Sequence, residues 1–170
     1  MKSLYLLRHA KSSWDDPDLP DHDRPLAPRG QRAARRLAEH LRRAGIAPAL
    51  VLCSTARRAT ETLDTILPAL EPVPDIRVEE DLYFGSTEDL VHRLHEIPSS
   101  VPSVLLIGHN PSIQSAALAL AGDDDRALIA RLRHKMATGA LATLELDDDW
   151  LMATAGSARL VSFVVPRELG

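Results

Sequence analysis

Leu4–Trp14, LYLLRHAKSSW, decides how this chain is read. The run Leu4–Leu7 is almost wholly apolar, as a short central strand buried on both faces requires. It passes without a turn into Arg8 and His9. A strand of this kind delivers a cation and an imidazole to one edge of a sheet. The rest of the sequence shows whether other strands do the same.

Ala49–Cys53, ALVLC, and Ser103–Ile107, SVLLI, are two further buried strands. The first runs into Ser54 and the second into Gly108-His109-Asn110-Pro111. Ile76–Glu79 is a third, shorter addition to the sheet. Between the strands the spacing predicts helices. Arg29–Ala44 has Ala33, Ala34, Leu37, Ala38, Leu41 and Ala44 on one face and arginines on the other. Pro28 suits its first turn, although Ala27 offers no capping side chain. Helices are also predicted at Thr55–Leu70, Thr87–Ile97, Ser112–Ala121 and Asp123–Leu132. Asp15–Pro28, rich in Asp and Pro, is a loop. Leu141–Leu146 and Arg159–Val165 are late strands, antiparallel at a sheet edge, with Asp147–Asp149 as a turn. Alternation of strand and helix predicts one α/β domain over residues 1–170, a three-layer α/β/α sandwich with a mostly parallel sheet.

In such sheets ligands bind beyond the carboxyl ends of the strands. Arg8-His9, Ser54 with an arginine one turn on, and His109 therefore converge from distant parts of the chain. The set suits a tetrahedral dianion. Guanidinium forks match phosphate oxygens. The helix starts after Ser54 and Asn110 add free N–H groups, with Asn110 as N-cap and Pro111 as first helical residue. A neutral imidazole is a nucleophile for phosphorus, and a protonated one can hold charge on the equatorial oxygens. Spacing alone does not say whether Arg57 or Arg58 faces the pocket.

LLRHAKS is similar to the Arg-His-Gly signature of the histidine phosphatase superfamily, the phosphoglycerate-mutase-like fold, with Ala10 where Gly is commonest. CSTARRATET resembles its second signature and LLIGHNPSI its third. RHAKSSW, RPLAPRG and GHNPSI most resemble the small phosphohistidine phosphatases of the SixA type. The likeness spans Leu4 to Val165. It implies that His9 is the nucleophile, that Arg8, Arg57 and His109 bind the phosphoryl group, and that no metal or cofactor is used. It also implies an acid for the leaving group near Glu80, with Glu79 as its rival.

Little chain between Arg57 and His109 is left over for a lid. An open site admits a phosphorylated side chain on another protein. The expected substrate is thus phosphohistidine on a signalling protein, such as a histidine phosphotransfer domain. A phosphatase for a small phosphomonoester metabolite is the alternative, and a phosphate-binding module without turnover is the reading from another class.

Composition agrees. A formal net charge of -4 and 4% aromatic residues argue against a nucleic-acid partner. No apolar stretch approaches the roughly 18 residues of a membrane span, and Leu4–Leu7 is too short for a secretory leader. The single cysteine, Cys53, suits a core position in a reducing compartment, and a cytoplasmic location is expected. His40, His92 and His95 read as solvent-facing. DHDR (Asp21–Arg24) and GDDD (Gly122–Asp125) lack the alternation of a calcium loop. Lys11, Ser13 and Trp14 read either as a border of the entrance or, equally well, as plain loop residues.

Overall fold

The computed structural model describes residues 1–169. Six strands form one sheet: Lys2–Arg8 (β1), Leu50–Ser54 (β2), Asp75–Glu79 (β3), Ser103–Gly108 (β4), Leu141–Leu146 (β5) and Ala158–Val164 (β6). Their spatial order is β3-β2-β4-β1-β5-β6. The first four are mutually parallel, while β5 runs antiparallel to both β1 and β6. The helices are Pro28–Ala44 (α1), Arg57–Ile66 (α2), Asp81–Phe84 (α3), Thr87–His95 (α4), Ser112–Leu120 (α5) and Arg126–His134 (α6).

The central strands β2 and β4 and the inner part of β1 read as apolar runs because both of their faces are covered, whereas β3 lies at an edge and is largely exposed. On β4, Val104 and Leu106 face one core with Leu94 of α4, Ile113 and Leu120 of α5, and Leu132 of α6. Leu105 and Ile107 face the other, with Leu37 and Leu41 of α1 and Leu63 and Ile66 of α2. Three layers result, and no large insertion interrupts them. Leu4, Leu6 and Leu7 of β1 are fully buried, each contributing about 2 kcal/mol of apolar burial. The strand that carries the chemistry is therefore among the most firmly fixed. Among the described residues no helix is long and apolar enough to cross a membrane.

Some boundaries differ from expectation for local reasons. The Asp125 side chain accepts from the Leu128 N–H and starts α6 three residues later than the periodicity suggests. Pro68 has no N–H to continue α2, which tightens into a 3-10 turn at Leu67–Ala69. The short α3 lacks the length for a periodic signal. Asn110 does not cap α5; its amide donates to Gln114 Oε1 and to the Met136 carbonyl.

α1 is pressed against the segment that follows His9. The Ala27 N–H donates to the Lys11 carbonyl at 2.9 Å, which ties the start of α1 to that segment. At Gly30 a Cβ would lie 2.0 Å from that same oxygen. Gly30→Ala must push the helix off the loop, and we expect a loss of about 1–3 kcal/mol, read from the urea midpoint. An unchanged midpoint would contradict this packing.

Candidate active site

The parallel register places Arg8 opposite Gly108 across β1 and β4, and Cys53 opposite Ile107 across β2 and β4. The chain segments that follow all emerge at one edge. Arg8-His9 is pinned there by its backbone. His9 N donates to the Gly108 carbonyl, and Gly139 N lies 2.9 Å from the carbonyl oxygens of both Arg8 and His9. Gly139 has φ +78°, a left-handed conformation that favours glycine.

His9 is only 7% exposed. Its Nδ1 lies 2.7 Å from the Ala10 carbonyl. A carbonyl only accepts, so Nδ1 carries the hydrogen and Nε2 keeps the lone pair. Arg58 Nε donates towards that Nε2 at 3.3 Å. The His109 ring stands 5.0 Å from the His9 ring, centroid to centroid. His109 Nε2 is 2.7 Å from Ser54 Oγ, and Ser54 Oγ accepts from the Ala56 N–H. Thr62 ties α2 to this edge, accepting from Ala10 N and donating to the Arg58 carbonyl.

The expected residues separate into two groups. Arg8, His9 and His109 come together. Arg57 does not join them: its side chain is half exposed and pairs with Glu61 one turn along α2. Arg58 is the arginine that reaches His9, with its side chain 8% exposed. The reason is helical geometry, since one residue turns the side chain by about 100°. Glu80 is exposed at the start of α3 and lines an open cleft with Glu79, Asp81 and Arg93. Neither His9 nor His109 lines that cleft. Glu79 is held by both its oxygens to Arg93.

Other residues complete the site without having stood out in the sequence. Asp21, on a 3-10 turn in the Asp-rich loop, accepts from Arg58, Arg24 and Tyr83. Tyr83 of α3 packs edge-on against both His22 and His109. Trp14 is stacked under the Arg24 guanidinium at 3.5 Å. Cys53 is buried, and its thiol is pushed up to about 12 by burial, so it is not a nucleophile here. His95 is bonded to the Ala153 carbonyl rather than to solvent, and His92 pairs with Glu96.

Charge is crowded at this edge. Burial lowers the Arg8 guanidinium from its ordinary value, and the Arg58 cation adds to the effect. Burial, and then the neighbouring His109, Arg58 and Arg8, lower His9 to about 3 against the pull of its bond to Ala10. Burial and the Arg58 charge lower His109 to about 4. Both imidazoles are thus neutral near pH 7. Two nitrogens, Arg8 Nε and His109 Nδ1, are buried with no hydrogen-bond partner among the described residues. Buried polar atoms without partners are uncommon and call for an explanation.

Residues 4–99 match the family model of the histidine phosphatase superfamily, branch 1. The chain belongs to that superfamily. An uncharacterized protein of Mycobacterium leprae is 40% identical over 165 residues, covering 95% of this chain and all of the relative. Among solved structures, one from Agrobacterium tumefaciens, provisionally named a phosphohistidine phosphatase SixA, has a TM-score of 0.83 at 31% identity, covering 97% of this chain and 98% of that one. The protein histidine phosphatase SixA complexed with tungstate shares the fold at a TM-score of 0.80 and 23% identity, covering 99% of each chain. Within the histidine phosphatases this chain is of the SixA type, and phosphatase chemistry follows from the family.

The two depressed histidines make stability depend on pH. In the unfolded chain their value is 6.5, against about 3 and about 4 in the fold. Below pH 6.5 the unfolded chain takes up protons that the folded site refuses. This contribution is complete above pH 6.5 and is lost as pH falls, towards 4 for His109 and towards 3 for His9, at up to about 1.4 kcal/mol per pH unit for each histidine. We expect the urea midpoint to fall across that window and to flatten in a His9→Asn/His109→Asn variant. A midpoint that rises on acidification would contradict the assignment.

Proposed function

We propose that this protein is a phosphohistidine phosphatase acting through a phosphorylated His9, with Arg8, Arg58 and His109 binding the phosphoryl group. The observation that carries the reading is the pair of unpartnered buried nitrogens, Arg8 Nε and His109 Nδ1, beside a histidine that keeps its lone pair on Nε2, turned towards Arg58 Nε. Phosphoryl oxygens would satisfy both nitrogens while phosphorus meets the lone pair.

His9 Nε2 attacks phosphorus, forming one P–N bond as the bond to the leaving nitrogen breaks. The equatorial oxygens gain charge and are held by Arg8 and Arg58. A bound dianion reverses the electrostatics around His109, favouring its protonated form. Water then attacks the phosphorylated His9, releasing inorganic phosphate and restoring the imidazole. Arg8 and Arg58 supply the positive charge, so the reaction proceeds without a metal.

The substrate class follows from the leaving group. Asp21 is the carboxylate tied to Arg58, and its bonds to Tyr83, Arg24 and Arg58 hold it as an anion. It is a poor acid, and Glu80 lines a different cleft. An imidazole leaving from phosphorus needs far less protonation by the enzyme than an alkoxide does. With no large insertion over the site, a phosphorylated histidine on another protein fits, such as that of a phosphotransfer domain in a signalling relay.

The test presents a histidine-phosphorylated phosphotransfer domain and, separately, phenyl phosphate, both with a chelator present. We expect rapid loss of phosphate from the protein and slow ester hydrolysis. His9→Ala should reduce the former roughly a thousandfold or more. Arg58→Ala should cost about 10²–10³-fold, and Arg57→Ala should stay close to the unaltered protein. Fast ester turnover with an untouched phosphoprotein would replace this reading with a small-metabolite phosphatase. Phosphate binding without turnover of either would leave a binding module.

A further inference from the structure

We propose that Asp21 is the positioning residue for Arg58, gripping one edge of its guanidinium so that the other edge faces the phosphoryl group at His9. This rests on the function proposed above for the site. Arg58 has five N–H donors in a planar fork. Nη1 donates to the Asp21 carbonyl at 2.8 Å, and Nη2 donates to Asp21 Oδ2 at 3.0 Å. Asp21 therefore takes the Nη1–Nη2 edge with its backbone and its side chain together. The Nε edge is left turned towards His9 Nε2, 3.3 Å away.

Asp21 is itself fixed from two other sides. Its Oδ1 accepts from Arg24 Nε and Nη2 at 3.2 and 3.0 Å. Arg24 is buried, and its Nη1 donates to Ser12 Oγ at 2.7 Å and the Ser13 carbonyl at 3.2 Å. Those residues follow His9 in the segment after β1. The Tyr83 hydroxyl donates to Asp21 Oδ2 at 2.7 Å, and the Tyr83 ring rests edge-on against His109. Asp21 thus joins four elements around the two histidines: the His9 loop through Arg24, α2 through Arg58, α3 through Tyr83, and its own turn. Its carboxylate also offsets the repulsion between Arg58 and the neighbouring Arg24. A long arginine side chain left free would sample several rotamers, and a misplaced donor is costly for in-line transfer.

The experiment measures inorganic phosphate binding by calorimetry, which needs no natural substrate. Asp21→Ala and Asp21→Asn are each made in the unaltered protein and in an Arg58→Lys background, where no fork remains to be held. We expect the Asp21 variants to weaken phosphate binding about tenfold in the unaltered protein and to add almost nothing in the Arg58→Lys background. Equal losses in both backgrounds would overturn the proposal, since a merely structural role persists without the fork. No loss in the unaltered protein would also overturn it. Asp21→Asn keeps the side-chain volume, and thermal melts check that each variant folds. If the unaltered protein binds no phosphate, the anion-site reading fails and takes this proposal with it. Binding that is lost equally in both backgrounds would refute the positioning role alone.

Discussion

Parallel pairing of β1, β4 and β2 is the constraint on which everything else depends. One register step places Arg8 beside Gly108, and another places Cys53 beside Ile107. Three segments far apart in sequence then leave the sheet at one edge. A slip of a single residue would turn each side chain to the opposite face. The slip is prevented by burial, since Leu4, Leu6, Val104, Leu105, Leu106 and Ile107 are wholly enclosed by helices on both sides. The precision of the site is thus a by-product of the core.

The same burial sets the electrostatics. Two guanidinium groups and two imidazoles share a partly dry edge, and the imidazoles yield by remaining neutral. His9 keeps a lone pair on Nε2 because Ala10 holds the hydrogen on Nδ1. Among the described residues, Asp21 is the one carboxylate tied directly to the arginine at His9. A site with this balance gains by taking up a dianion. In the proposed reaction the energy of that uptake is directed at phosphorus, because the groups that bind are already fixed.

The centre of the sheet was legible because β1, β2 and β4 are apolar runs of the right length, each followed by polar residues of a chemical kind. Arg8, His9 and His109 were legible for the same reason: each adjoins the end of a strand. The arginine on α2 was not. Two arginines stand in succession, and only the direction of the helix after Ser54 decides between them. The signature comparison favoured Arg57, whereas the exposed Arg57–Glu61 pair and the buried Arg58–Asp21 pair separate their fates. Asp21 was invisible for a related reason. Its loop has no period, and the three groups that give it meaning lie on other elements or depend on the tight turn to Arg24. Glu80 lies near the end of β3 in sequence, but it opens onto another cleft.

The most direct measurement is to quench the protein within milliseconds of mixing with a phosphohistidine protein and to map the phosphoryl group by peptide analysis. We expect an acid-labile, base-stable phosphate on His9, absent from His9→Ala, that decays as inorganic phosphate appears. A phosphoryl group on His109 or on any other residue, or turnover with no phosphorylated protein at any time despite trapping of slow variants, would contradict a nucleophilic His9.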